Sequence, residues 1–233
     1  METRINKFLT ESGVCSRREA DRWVDDRRVT INGEVAVIGQ KVGPDDIVCV
    51  DGKEIRQKDQ PIYLAYHKPI GIISTSDPEK KNNIIAAINY PKRIFHVGRL
   101  DKDSSGLILM TNDGDIVNKI LRQENNHEKE YVVKVDKTIT HEFLKNMEKG
   151  VPILGTITKP AKVIKKSDRI FHLIITEGMN RQIRRMCKVL GYKVVSLHRI
   201  RIMHIHLDVP VGKYRHLNQT ELTELFKQTN HRL

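Results

Sequence analysis

The sequence predicts an α+β protein of two domains: a small module of two helices and hairpins, then a larger domain with a mixed, mostly antiparallel sheet flanked by helices. Three observations predict it. Residues 1–60 read as helix, helix, hairpin, hairpin; from about residue 62 onward, short strand-like runs alternate with amphipathic helices; and the charge balance changes at the same place. Residues 1–60 hold 11 basic and 12 acidic side chains, leaving 30 and 17, a net +13, for the rest of a chain whose overall charge is +12. The polar stretch from Ile55 to Pro61 is the expected joint, giving domains 1–60 and 61–233.

Composition excludes several classes. With 39% apolar and 30% charged residues, the chain has no apolar run near the roughly 18 to 20 residues needed to span a bilayer. Met1-Glu2-Thr3-Arg4 lacks the apolar core of a signal peptide, so no membrane association and a cytoplasmic address are expected. Cys15, Cys49 and Cys187 are odd in number and far apart, suiting small buried groups better than a disulfide framework or a metal knuckle. The positive balance favours a polyanionic partner, and nucleic acid is the obvious one.

In the first module, Ile5, Phe8 and Leu9 fall at helical spacing and Gly13 ends the turn. Ser16-Arg17-Arg18-Glu19 has the form of a capping box opening a second helix, whose core stripe is Ala20, Trp23 and Val24. Arg17, Arg18 and Arg22 then point elsewhere, either as an ordinary solvated face or as a phosphate-binding cluster. Val29-Thr30-Ile31 and Val35-Ala36-Val37 flank Asn32-Gly33, a strong hairpin signal because this pair accepts the positive φ of a type I′ turn. A second hairpin is expected at 47–55 around Asp51-Gly52.

Strands are expected in the larger domain at 62–66, 94–97, 131–135, 161–164, 171–176 and 202–207, with helices at 116–121, 141–149 and 221–227. The most informative helix is Arg181 to Leu190, with Asn180 as the expected N-cap and Gly191 as the stop. Ile183, Met186, Cys187 and Leu190 form its apolar stripe; Arg181, Arg184, Arg185 and Lys188 repeat that spacing two residues earlier, on the opposite face. Four undiluted cations on one face make a phosphate track, against the alternative of a plain amphipathic surface helix.

Gly98-Arg99-Leu100-Asp101 places a carboxylate in a turn beside two cations, between apolar strands. Asp101 and Asp103 could equally be turn-capping residues. A carboxylate pair for metal or glycoside chemistry is less well supported, because neither Asp101/Asp103 nor Asp113/Asp115 has further clustered ligands. His204 and His206 would share one face of the expected 202–207 strand, as in a metal clip, but no third ligand is near.

Two sets of motifs carry a resemblance. Arg4-Ile5-Asn6-Lys7-Phe8-Leu9, Ser16-Arg17-Arg18-Glu19-Ala20-Asp21 and Val29-Thr30-Ile31-Asn32-Gly33 resemble an S4 RNA-binding domain, with Arg27 where that pattern usually has Gly. His96 to Leu107, Lys68-Pro69-Ile70-Gly71, Lys129-Glu130-Tyr131 and Glu177 to Met186 look like the motifs of RNA pseudouridine synthases, in the subgroup with an N-terminal S4 domain. The likeness continues to Leu217 and, at 127–131 and 150–156, is strongest to members acting on large-subunit (23S) ribosomal RNA.

The resemblance implies site-specific isomerisation of uridine to pseudouridine by a monomeric enzyme needing no metal and no redox cofactor. Its RNA substrate would be a structured stem-loop or an assembly intermediate. Asp101 would be the catalytic carboxylate, Tyr131 the ring against the target base, and Arg184 the partner of Asp101. Arg99 would fill the space vacated by the flipped nucleotide. Arg181, Arg185 and Lys188, with Arg17, Arg18 and Arg22 of the small module, would hold RNA phosphates. The competing reading is a non-catalytic RNA-binding or ribosome-assembly factor in which the S4 module and the basic helix suffice.

Overall fold

The computed structural model describes residues 2–55 and 60–231, so the middle of the expected joint, 56–59, lies outside the described residues. The chain packs as two compact units. One runs to Ile62 and takes in 91–93 and 112–114; the other comprises Tyr63–Tyr90, Ile94–Thr111 and everything from Asp115 onward.

In the first unit, helices Ile5–Glu11 and Arg17–Asp25 form the expected hairpin, the second opened by a complete Ser16/Glu19 capping box. Ile5, Leu9, Ala20 and Val24 are buried together with Val29, Val48 and Cys15, and Trp23 packs at the edge under the Arg28 guanidinium. Arg27 takes φ +57°, so the left-handed turn between helix and strand survives without glycine, at a cost of about 1 kcal/mol. Asn32-Gly33 and Asp51-Gly52 all have positive φ, joining Val29–Ile31 to Glu34–Val35 and Val48–Val50 to Lys53–Glu54 as type I′ hairpins require. The first hairpin is shorter than expected: pairing ends at Val35, and Val37 is exposed.

The second unit is built on a sheet of nine strands among the described residues. Its main path runs Lys162–Lys165, Ile170–Ile175, Lys129–Val135, Val194–Ile202, Ser105–Thr111, Tyr63–Lys68, Tyr214–His216. Phe95–Val97 adds to Ser105–Thr111, and Ile205–His206 folds back on Val194–Ile202. Every pairing is antiparallel except the central one, His198↔Ser105 and Arg199↔Gly106. This is the mixed, mostly antiparallel sheet expected. Two apolar cores divide at that seam: Tyr131, Val133, Phe143, Phe171, Met186 and Cys187 belong to one, and Leu107, Leu109, Ile116, Ile120 and Leu225 to the other.

Four expectations need correction. The 202–207 strand is largely a turn: Met203 has φ +54°, and the long strand is the preceding Val194–Ile202. His204 therefore lies in the turn, its Nε2 2.9 Å from the Glu221 carbonyl, and shares no strand face with His206. The basic helix is Gln182–Val189, with Arg181 at φ +49° as its N-cap in place of Asn180. Asn180 instead accepts from the Arg185 guanidinium through its carbonyl and side-chain oxygens. The helix expected at 116–121 starts earlier, at Gly114, and its last residue, Leu121, is 38% exposed.

Candidate active site

The parallel seam creates the site. Where Ser105–Thr111 begins beside Val194–Ile202, the chain before it, from Gly98 to Ser104, loops over the end of the sheet and carries Asp101. Several contacts hold this loop. Ser74 Oγ donates to the Leu100 carbonyl at 2.9 Å and accepts from the Leu100 amide, with both residues buried. Gly71 N–H donates to the Lys102 carbonyl, and Ser104 N–H to the Asp101 carbonyl. Lys68, wholly buried, donates to the Pro69 and Ile72 carbonyls, so the Lys68-Pro69-Ile70-Gly71 turn is a buttress for the aspartate loop. Burial pushes the Lys68 ammonium down to about 8, against the pull of Asp101 and Asp103.

Asp101 is half-buried, its side chain 28% exposed. Its Oδ2 lies 3.7 Å from Nε of Arg184 and 3.8 Å from Nη1 of Arg181. Arg184 is not on the solvated face with the other cations: its side chain is 15% exposed and Nη2 donates to the Asp103 carbonyl and to Ser104 Oγ. One guanidinium thus binds the backbone of the loop and neutralises its carboxylate. Arg181 reaches the same carboxylate oxygen and also lies 4.0 Å from Asp103, while Arg185 and Lys188 stay exposed on the outer face of the helix. The left-handed Arg181 is fixed by its neighbours: Gln182, buried, accepts from the Met179 amide and donates to buried Glu177 at 2.6 Å. Glu177 also accepts from the Lys159 amide.

Asp101 opens into a cavity of about 650 Å³, within the roughly 300 to 1,000 Å³ range of sites that enclose small molecules. Tyr131 lines it from the buried face of Lys129–Val135, together with Lys129, Arg199 and Leu100; Arg99 and Arg181 also contribute to its wall. Arg184, Arg185 and Lys188 do not. Arg99 is exposed. His96 lies at the same wall, its Nδ1 2.7 Å from the Gly98 carbonyl, and burial lowers its pKa. Lys129 is nearly buried and donates to the His127 carbonyl; burial and, secondarily, Arg199 push it down to about 8. Arg17, Arg18 and Arg22 are exposed on the helix of the first unit. Among the described residues no three His, Cys, Asp or Glu side chains converge as metal ligands would.

An anionic side chain with two guanidinium groups within 4 Å thus stands at the wall of a cavity that also holds an aromatic ring. Residues 62–188 match the RNA pseudouridylate synthase family model and residues 3–48 the S4 domain model. The chain belongs to the RNA pseudouridylate synthase family. It is 52% identical over 228 residues, 97% of its length and 79% of the relative's, to the dual-specificity RNA pseudouridine synthase RluF of Salmonella typhi. Identity to the ribosomal large subunit pseudouridine synthase B of Bacillus subtilis is 34%, over 98% of this chain and 97% of that one. A solved structure described as a pseudouridylate synthase superposes with a TM-score of 0.71 at 30% identity, covering 95% of this chain and 99% of its own. The S4-plus-synthase fold anticipated from the motifs is therefore the fold of this family, and the non-catalytic alternative is not favoured.

The sequence reading grouped Asp101, Tyr131 and Arg184 and assigned Arg181 to RNA phosphates; the structure also sets Arg181 3.8 Å from Asp101. The reading missed Arg199, Ser74 and the buttressing role of Lys68. The signal for Lys68 was present in its motif; for Arg199 there was none while its strand went unrecognised.

Proposed function

We propose that this member of the family isomerises uridine to pseudouridine in large-subunit ribosomal RNA, with Asp101 as the catalytic carboxylate. The observation that carries the reading is the Asp101 carboxylate at the cavity wall, 3.7 Å from Arg184 and 3.8 Å from Arg181, with Tyr131 lining the same cavity. Two guanidinium groups lie within 4 Å of this carboxylate and complement its charge. Arg184, pinned to the loop backbone, suits that role because it is always charged.

Tyr131 would stack on the extruded uracil, and Arg99, exposed at the rim, would occupy the vacated position in the RNA; together they offset an unstacking cost of a few kcal/mol. Arg181, Arg185 and Lys188 would run along RNA phosphates, and Arg17, Arg18 and Arg22 would anchor a neighbouring stretch, making residues 1–60 a positioning domain and 61–233 the catalytic one. The reading implies a monomer acting in the cytoplasm, in keeping with a chain whose described helices include none long and apolar enough to cross a membrane.

Rejoining the base through C5 must expel the C5 hydrogen. Ribosomal RNA tritiated at uridine C5 should release label to water with the wild-type protein and at least about 10⁴-fold more slowly with Asp101→Asn. Absence of release by the wild type on any ribosomal RNA fraction would refute the assignment. Mapping pseudouridines in cells lacking the protein names the nucleotide.

A further inference from the structure

The cavity contains a cation that the site described so far leaves without work. Arg199 is only 4% exposed, and among the described residues no carboxylate pairs with it. Its Nε donates to the Leu107 carbonyl at 2.7 Å and Nη1 reaches the Tyr131 hydroxyl at 3.4 Å; Nη2 is buried with no hydrogen-bond partner. A guanidinium buried without a counter-charge costs several kcal/mol, so a fold that keeps one beside a binding cavity leaves room for a ligand to complete it.

The backbone is bent to put it there. Val194–Ile202 slips register against Lys129–Val135 between Glu130 and Tyr131, so that Ile200 is passed over and Arg199 stands directly opposite Tyr131. Bulges of this kind re-aim side chains beside active sites. On the other flank, Gly106 pairs with Arg199 at φ +115°, and a Cβ there would collide with the Arg199 backbone. The guanidinium carbon ends 5.9 Å from the centre of the Tyr131 ring. A base lying against Tyr131 would meet cationic donors here, with Lys129 nearby in the same wall.

We propose that Arg199 is a catalytic residue whose guanidinium donates to a carbonyl oxygen of the uracil ring and stabilises the negative charge that develops there as the base leaves the sugar. The assignment rests on the uridine isomerisation proposed above. When the C1′–N1 bond breaks, its electron pair goes to the ring and spreads over N1, O2 and O4. After the ring turns, C5 uses a ring electron pair to form the C1′–C5 bond; C5 then loses its proton to water and N1 takes one up, so the product is an isomer and no redox partner enters. A fixed donor held at O2 or O4 by the buried wall of the cavity lowers the barrier to the first of these steps.

Arg199→Gln keeps a hydrogen-bonding side chain but removes the charge. In single-turnover assays on ribosomal RNA it should slow tritium release about 100-fold while RNA affinity stays within about threefold of wild type. Placing 5-fluorouridine at the target supplies a better-stabilised leaving base. The deficit in loss of the N-glycoside, read by mass spectrometry of digested RNA, should therefore shrink to about tenfold or less. Arg199→Lys should recover part of the rate on uridine. Equal deficits on the two bases, or a defect in affinity alone, would overturn the assignment.

Should Arg199→Gln fail to fold, the wild-type protein decides. RNA carrying 2-thiouridine or 4-thiouridine at the target offers a poorer acceptor, and one of the two should react at least about tenfold more slowly than uridine. Wild-type rates on both would overturn the proposal. If the wild type releases no tritium from any ribosomal RNA, the proposed isomerisation fails and not the role of Arg199 within it.

Discussion

At the scale of single residues, charge placement separates side chains that look alike in the sequence. Arg181, Arg184, Arg185 and Lys188 share one helical stripe, yet Arg184 turns inward to the Asp103 carbonyl, Ser104 Oγ and the Asp101 carboxylate, and Arg185 turns back on Asn180. The difference comes from where the helix starts: with Arg181 in the left-handed region and buried Gln182 tied to Met179 and Glu177, residue 184 is brought next to the aspartate loop. Gly106 is the other residue on which the site depends. Its φ of +115° and its contact with the Arg199 backbone leave no space for a methyl group. Gly106→Ala is expected to cost about 3 kcal/mol or more, through steric overlap and a disfavoured backbone region, and to part the two strands that carry Arg199 and the aspartate loop. Urea unfolding measures the loss, and a ΔΔG under about 1 kcal/mol would mean that the parallel seam can relax without penalty.

At the scale of elements, the exposed cations of Gln182–Val189 and its cap predict a salt effect. Replacing Arg181, Arg185 and Lys188 by glutamine should weaken RNA binding and reduce the slope of log K against log salt by up to about 0.7 to 0.9 per lost phosphate contact. A slope equal to wild type in a salt titration removes this helix from the interface. The helices were legible because their signals are local: the Ser16 box and the 3.6-residue apolar stripe need no knowledge of partners. The hairpins were legible because Asn32-Gly33 and Asp51-Gly52 supply the positive φ themselves. Val194–Ile202 was not, and the reason is physical. Its buried positions are 194, 197, 199 and 202, spaced three, two and three apart, because register slips beside Ile200 and Val195 break the two-residue alternation. One of those positions is an arginine, which reads as solvent-facing until its cavity is known. The candidate site divides the same way: Asp101, Tyr131 and Arg184 stood in recognisable motifs, whereas Arg199 depends on a bulge set by another strand.

At the scale of the whole molecule, the buried titratable groups make stability depend on pH in a direction that can be worked out. Lys68 and Lys129, both in the larger unit, are pushed by burial from 10.5 to about 8. Between about pH 8 and 10.5 the unfolded chain then holds more protons than the folded one, so stability rises with pH across that window. Buried thiols act oppositely. Cys15 and Cys187 are raised from 9.0 to about 11 and about 12, so above pH 9 the unfolded chain loses those protons first and stability falls as pH rises. At the acid end, Glu221, held down by Arg215, and Glu128, held down by Arg201, contribute stability that is lost as pH drops through their depressed values. The lysines therefore dominate between pH 8 and 9, where each should add about 1 kcal/mol to the unfolding free energy of the larger unit. Lys129→Met removes one of the two. Its urea-unfolding free energy should exceed that of the wild type most at pH 7.5, where the buried charge is present, and the excess should shrink by about 1 kcal/mol by pH 9. A constant difference between variant and wild type over that range would show that Lys129 enters the fold without losing its ordinary proton affinity, and the cationic wall assigned to the cavity would then have to be more hydrated than its burial implies.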